Sequence, residues 1–255
     1  MSENIYLEKI HNDINSLRQR YQLPLPLLCN INEVYMGYLR NSDGNSFYYQ
    51  WLALLVRIVK PNLVVELGSG LGTSTLMILS ELPKTVQLVS CDLYNRLDFI
   101  PEHVLGDHRL NFYFGDDLNL NIFGNDLPIG IDLLFIDTEH TFEQISAEWN
   151  IYKHLCNPGA LIILDDIRMN DMYDFWESIP YPKLDLTTEC HASGFGLFLY
   201  DPGNKPNPLN AYREALKISL ERFSILRKKE PEKSFFSNIQ NSLTALIRTL
   251  SKTMK

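Results

Sequence analysis

At 255 residues, 45% of them hydrophobic, the chain is long enough to bury one large core, about three quarters of its unfolded surface at this size. Its formal charge of −8 is unevenly spread, because residues 205–255 hold eleven Lys and Arg against four Glu, which leaves −15 on residues 1–204. An acidic main body is a poor match for a nucleic acid backbone, so small molecules or a neutral polymer are the expected substrates and nucleic acid is not.

Met1 opens a polar, charged stretch without the apolar run of a signal peptide, and no later stretch approaches ~18 uninterrupted apolar residues. Neither a leader nor a transmembrane segment is expected. Cys29, Cys91, Cys156 and Cys190 stand 62, 65 and 34 residues apart, too far for a zinc or thiol-exchange pair, which implies a reducing, cytoplasmic home.

In chain order, Ile5, Ile10, Ile14, Leu17 and Tyr21 recur every three to five positions and predict a helix with one apolar stripe, stopped by Leu23-Pro24-Leu25-Pro26. Asn41-Ser42-Asp43-Gly44-Asn45 is loop chemistry, and Ser46 can cap a helix that runs to Lys60 and ends at Pro61. From there short apolar runs alternate with helical stretches, the pattern of a parallel sheet covered on both faces. Strands are predicted over 63–67, 87–92, 110–115, 131–137 and 160–165, with helices over 73–82 and 141–155. Asn157-Pro158-Gly159 is predicted to turn the chain into the fifth strand.

The rhythm then changes. Residues 183–191 and 195–200 are strand-like runs separated only by Ala192-Ser193-Gly194, which is too short for a parallel crossover and implies an antiparallel hairpin. Beyond Asp201-Pro202-Gly203, Tyr212, Leu216, Leu220 and Phe223 share one helical face, and Ile239, Leu243, Leu246 and Leu250 another. Two amphipathic helices are expected there, packing on the main body or on a second subunit. The expected organisation is therefore an amino-terminal helical cap (1–45), an α/β core (46–201) and a carboxy-terminal helical extension (202–255), with homo-oligomers possible through either set of terminal helices.

The chemistry-bearing residues fall at strand ends. Glu66-Leu67-Gly68-Ser69-Gly70-Leu71-Gly72 lets the backbone turn sharply and approach a ligand without intervening side chains, and a helix from Thr73 aims free N–H groups at the same place. A glycine turn alone fits a dinucleotide or a purely structural turn equally well. Asp92 closes the second strand, where a carboxylate can accept both ribose hydroxyls of a nucleoside; Asp116 and Asp117 close the third, where one can accept the exocyclic amine of adenine. Their structural alternatives are a solvated strand-end acid and a helix cap.

Taken together, these residues resemble the class I S-adenosylmethionine-dependent methyltransferases, over roughly residues 47–200. The resemblance implies a Rossmann-like, doubly wound seven-stranded sheet closed by an antiparallel hairpin. It also implies that Gly68, Ser69, Gly70 and Gly72 pass close to the methionyl part of the donor, that Ser74 binds its carboxylate, that Glu66 lies near its amino group, that Asp92 holds the ribose, and that Asp116, with Asp117 beside it, reads adenine.

Within that superfamily, Phe135-Ile136-Asp137-Thr138-Glu139-His140 and Ile163-Leu164-Asp165-Asp166 are similar to the metal-dependent small-molecule O-methyltransferases, including catechol-type and bacterial sugar-modifying members. This implies that Asp137, Asp165 and Asp166 hold a divalent cation, Mg2+ by the count of oxygen donors, which would favour the alkoxide or phenolate of an acceptor hydroxyl. Two departures stand out. Catechol-type members place a lysine base where this chain has His140, which can take the proton itself or else cap the helix from Thr141. They also have asparagine where this chain has Asp166. Asp137 and His140 are thus the expected catalytic residues.

His191 is expected to be a surface turn histidine. Tyr173, Phe175 and Trp176 suit a substrate wall or the core equally well. Tyr35, Tyr38, Tyr48 and Tyr49 can form a lid or simply pack. The reaction implied is O-methylation of a small hydroxylated metabolite such as a sugar or phenol. The competing readings are a metal-independent O- or N-methyltransferase, a nicotinamide oxidoreductase, and a methyltransferase-like binding subunit without turnover.

Overall fold

The computed structural model describes residues 3–18, 21, 47–95 and 102–203, without the side chains of residues 3, 4, 47 and 48. The expected lid residues Tyr35 and Tyr38, the Tyr48 side chain, the loop over 41–45 with its Ser46 cap, and the carboxy-terminal helices lie outside the described residues.

Along the chain the elements are α1 (Glu3–Arg18), α2 (Phe47–Val59), β1 (Leu63–Leu67), α3 (Thr73–Glu81), β2 (Gln87–Asp92), α4 (Glu102–Leu105), β3 (Leu110–Phe114), a 3-10 turn (Leu120–Phe123), β4 (Ile131–Ile136), α5 (Phe142–Tyr152), β5 (Cys156–Asp165), α6 (Met172–Ser178), β6 (Lys183–Asp185) and β7 (Phe195–Tyr200). The seven strands form one sheet in the order β3-β2-β1-β4-β5-β7-β6. Strands β1 to β5 are parallel, and β7 runs antiparallel to both β5 and β6. This is the doubly wound architecture with a terminal hairpin that the residue patterns predict.

The sheet separates two apolar layers, because successive side chains on a strand point to opposite faces. Val64, Leu88, Leu133 and Ile163 face a layer built by α1, α2 and α3, in which Leu7, Ile10 and Ile14 of α1 are buried. Val65, Val89, Leu134 and Ile162 face a second layer with α5 and α6, which takes in Ile145, Ile151, Phe175 and Trp176. Phe175 and Trp176 are therefore core residues, while Tyr173 is exposed and stacks under the Arg168 guanidinium, 4.4 Å from its ring centre. Tyr49 packs against the first layer.

Two local expectations are corrected. Asn157-Pro158-Gly159 lies inside β5 as a bulge, since Ile131 pairs with Cys156 and Leu133 already with Leu161. Gly159 absorbs the extra residues at φ 82. The hairpin's first strand stops at Asp185, not at His191, because Asp185 turns back to accept the Thr187 N–H at 2.9 Å and Leu186 begins a turn whose carbonyl accepts the Glu189 and Cys190 N–H groups. That longer connection carries His191 inward, as described below.

Candidate active site

The carboxyl ends of β1, β2 and β4 are tied together by their backbones. Gly68 and Ser69 donate to the Cys91 carbonyl at 2.9 and 3.3 Å, and Asp137 donates to the Leu67 carbonyl at 2.8 Å. A Cβ on Gly68 would stand 1.8 Å from the Asp137 carbonyl oxygen, so only glycine permits this approach. Gly68 is also at φ 85, where L side chains are strained. The turn ends at Gly72, the N-cap of α3, which has no side-chain cap; the first-turn N–H groups of the helix are the kind that bind carboxylates.

Beside this turn lies a cavity of about 580 Å³, within the usual size of small-ligand sites. Gly68, Gly70, Asp92, Asp116, Asp117 and Asp137 all line it. Asp92 is held by two backbone donors, Gly70 N–H at 2.7 Å on one oxygen and Tyr94 N–H at 2.8 Å on the other. A carboxylate has about four acceptor sites, so each oxygen keeps capacity for a ligand hydroxyl. Asp116 accepts the Leu118 N–H at 3.0 Å, a turn that fixes its direction.

Glu66 and Ser74 are placed differently from their expected roles. Glu66 is fully buried on the α3 side of β1, where its carboxyl accepts the hydroxyls of Ser74 at 2.5 Å, Thr75 at 2.6 Å and Ser90 at 2.6 Å. Strand alternation sends residue 66 away from the cavity and toward the first turn of α3, which supplies two of the three donors. Glu66 thus pins the helix to the sheet under the glycine turn, and the Ser74 hydroxyl is engaged inside. Neither lines the cavity, nor do Ser69 and Gly72.

Burial pushes the Glu66 carboxyl up to about 7 against the pull of those three hydroxyls. A carboxyl whose folded value exceeds its unfolded one favours folding fully only below the unfolded value, and that favour is lost as pH rises through the folded one. Glu66 should therefore cost on the order of 3 kcal/mol of stability between pH 4.5 and 8. Chemical denaturation of the wild type and Glu66→Gln across that range should show their stability difference shifting by this amount in favour of Glu66→Gln at high pH; a pH-independent difference would refute it.

Sequence reading missed the residues behind Asp117. Gln144 and Glu148, four apart on one face of α5, point into the sheet: Gln144 lines the cavity and donates to Glu148 at 2.7 Å and to Asp117 at 3.3 Å. Tyr152, a further four along, donates to the Asp117 carbonyl at 2.8 Å. Asp117 Oδ2 and Glu148 Oε2 are both buried without another hydrogen-bond partner. Burial lifts Asp117 to about 6 and holds Glu148 well above the carboxylate range, with the charge of Asp117 adding to the latter, so at neutral pH the pair keeps a proton. Glu148, three residues from both Ile145 and Ile151 on the apolar face of the helix, was the available signal.

On the far side of Asp137 lies a cluster of three aspartates and two histidines. His140 Nε2 stands 3.0 Å from Asp137 Oδ1 and its Nδ1 3.4 Å from Asp166. His191 Nε2 stands 2.8 Å from Asp165 Oδ1 and its Nδ1 3.8 Å from Asp166. The helix-cap alternative for His140 is set aside, because Thr141 caps α5 through its own hydroxyl, which accepts the Gln144 N–H at 3.2 Å. His140 and Asp166 both sit at positive φ, 56 and 54, strain of a kind that clusters at functional sites.

His191 is buried, contrary to expectation, since the turn that carries it folds onto the end of β5. Burial lowers the affinity of both imidazoles for a proton, but the hydrogen bonds and charges of their aspartate partners outweigh it, and both end above the ordinary histidine value. Asp165 is raised to about 7 by burial and then by the charge of Asp137.

The predicted metal set is correspondingly altered. Among the described residues, donor atoms of Asp137, His140 and Asp165 lie within 4.8 Å of one another, as do those of Asp165, Asp166 and His191. A histidine therefore completes each group around the shared Asp165; the three carboxylates do not form a group by themselves.

Residues 65–167 match a family model described as a methyltransferase domain. A methyltransferase from Geobacter sulfurreducens superimposes with a TM-score of 0.54 at 18% identity, covering 72% of this chain and 94% of that one. The O-methyltransferase from Bacillus cereus, solved in complex with SAH, gives a TM-score of 0.54 at 19% identity over 75% of this chain and all of the other. TomG from Streptomyces achromogenes, an O-methyltransferase of tomaymycin synthesis solved with SAM, gives 0.51 at 17% identity over 79% of this chain and 99% of that one. A 42-residue stretch is 40% identical to an uncharacterized protein of Acanthamoeba polyphaga mimivirus, over 16% of this chain and 19% of that protein's length.

Proposed function

We propose that the protein, whose residues 65–167 match a methyltransferase domain model, transfers the methyl group of S-adenosylmethionine to a hydroxyl of a small metabolite, with a divalent cation at the acid and histidine cluster. One observation carries this reading: Asp137 both lines the donor-sized cavity and pairs with His140, so the proton acceptor stands one carboxylate away from the donor.

Asp92, between two backbone N–H groups, is oriented to receive the ribose hydroxyls, and Asp116 and Asp117, after the neighbouring strand β3, line the same cavity for the adenine. The Gly68 turn keeps side chains out of the methionyl end. Methyl transfer is an in-line displacement in which the acceptor oxygen bonds the methyl carbon as the carbon–sulfur bond breaks. Aligning the two can supply up to roughly 7 to 11 kcal/mol. His140 takes the hydroxyl proton, and Asp137, 3.0 Å from its Nε2, stabilises the resulting imidazolium.

The two donor groups that share Asp165, one with Asp166 and the other with Asp137, each completed by a histidine, are sets that fit a divalent cation. Bound there, it would supply Lewis acidity toward the acceptor hydroxyl. A metal-independent reaction is the second reading, favoured by the His140–Asp137 pair, which is complete without an ion.

Titration calorimetry with S-adenosylhomocysteine and with NAD, followed by methyl transfer to a panel of hydroxylated compounds with and without chelator, tests both. Binding of S-adenosylhomocysteine and chelator-sensitive methylation are expected. Undiminished turnover after verified metal removal selects the second reading, and binding of NAD alone overturns both.

A further inference from the structure

We propose that the cation site is a mixed carboxylate and imidazole site in which His191 Nε2 is a ligand beside Asp165 and Asp166, and that it therefore takes a first-row transition ion in preference to Mg2+. The inference rests on the cation reading above and adds a ligand and an ion class to it.

His191 is built into place. The turn that carries it is stitched to the segment after β5, with Arg168 N–H donating to the Ser193 carbonyl at 2.7 Å, Ile167 N–H to the Gly194 carbonyl at 3.3 Å, and Gly194 N–H to the His191 carbonyl at 3.0 Å. Gly194, at φ 98, lies so close that a Cβ there would stand 2.7 Å from the Ile167 and Arg168 side chains. This close approach buries the imidazole to 9% exposure over a pair of adjacent carboxylates.

The distances fit ligation. Adjacent donors of an octahedral ion lie about 3 Å apart when each bond is about 2.1 Å, and His191 Nε2 is 2.8 Å from Asp165 Oδ1. The other ring nitrogen, Nδ1, has the Ser193 hydroxyl at 3.1 Å. A metal-bound histidine typically gives its second N–H to such a partner, which sets the tautomer with Nε2 unprotonated, so that an ion would take the place of the proton shared with Asp165. His140 belongs to the other donor group, with Asp137 and Asp165, and its ring nitrogens stand 3.0 Å from Asp137 and 3.4 Å from Asp166.

Imidazole suits the transition ions Zn, Cu, Fe and Ni, whereas Mg2+ takes carboxylates and retained waters; Mn2+, above Mg2+ in its tolerance of nitrogen but a hard ion, is the paramagnetic probe. A site with a neutral nitrogen donor is therefore tuned away from Mg2+.

The test uses the full chain. Calorimetric titration with MnCl2 and MgCl2 is expected to give Mn2+ binding at least about tenfold tighter, and His191→Gln to lose roughly ten- to a hundredfold of the Mn2+ affinity while changing that of Mg2+ less than about threefold. Pulsed EPR of the Mn2+-loaded wild type should show modulation from a coordinated 14N, lost in His191→Gln and kept in His140→Gln. The wild-type spectrum decides even where a variant folds poorly. Equal affinity for the two ions, no nitrogen coupling, or coupling that survives in His191→Gln overturns the assignment while leaving a carboxylate-held cation standing. Absence of any cation binding removes the cation reading itself.

Discussion

Replacing Gly68 by alanine is expected to lower S-adenosylhomocysteine affinity more than a hundredfold and to destabilise the fold by about 3 to 5 kcal/mol, the range of substitutions that force packed backbone apart. The added methyl would meet the Asp137 carbonyl oxygen at 1.8 Å and its carbon at 2.6 Å, and both atoms are backbone. Relief requires separating the exits of β1 and β4, which breaks the Asp137 N–H to Leu67 carbonyl bond and displaces Asp137 from both the cavity and His140. Gly70→Ala is the control for the fold alone: its Cβ meets no protein atom within 4 Å, so stability falls only by the positive-φ penalty, about 1 kcal/mol, although the residue lines the cavity. Calorimetry and denaturant melts of the two variants check the contrast. Near-wild-type binding by Gly68→Ala would show that the close approach is dispensable.

The second large effect concerns His140. Its replacement by glutamine, which keeps a hydrogen bond to Asp137 but cannot take a proton at neutral pH, should reduce the methyl-transfer rate by about 10² to 10⁴ and leave S-adenosylhomocysteine affinity within about threefold. With no cation bound, the aspartates around it hold the imidazole above its ordinary value of 6.5, more than offsetting burial, so in the metal-independent reading wild-type kcat should rise with pH through an acid limb lying above that value. His140→Gln should lose that limb. A variant with near-full rate, or with the acid limb intact, would remove His140 as the base.

Much of the fold was legible in the sequence because the parallel strands are buried on both faces and read as continuous apolar runs punctuated by glycines and acids. That pattern places β1, β2 and β4 within a residue of their observed ends, and it brings Asp92, Asp116 and Asp137 to one rim by topology alone. What misled was side-chain direction. Glu66 lies one residue before the turn and belongs to the opposite face of the sheet, and no strand-end rule distinguishes an acid facing the cavity from one facing a helix. His191 looked like a turn residue because its three-residue neighbourhood is all that local chemistry reports; the contact that buries it comes from β5, some 25 residues earlier.

By itself, then, the sequence determined the doubly wound sheet, the terminal hairpin, the glycine turn and the set of acids at strand ends, since each follows from local periodicity or backbone freedom. Only the tertiary structure decided which of those acids face the cavity, that Asp117 is coupled to a buried Glu148, and that two histidines complete the aspartate cluster. These are relations between residues on different strands and turns. They are set by the register of the sheet and by how closely the turn at Gly194 can approach the end of β5, quantities that no single segment of the chain contains.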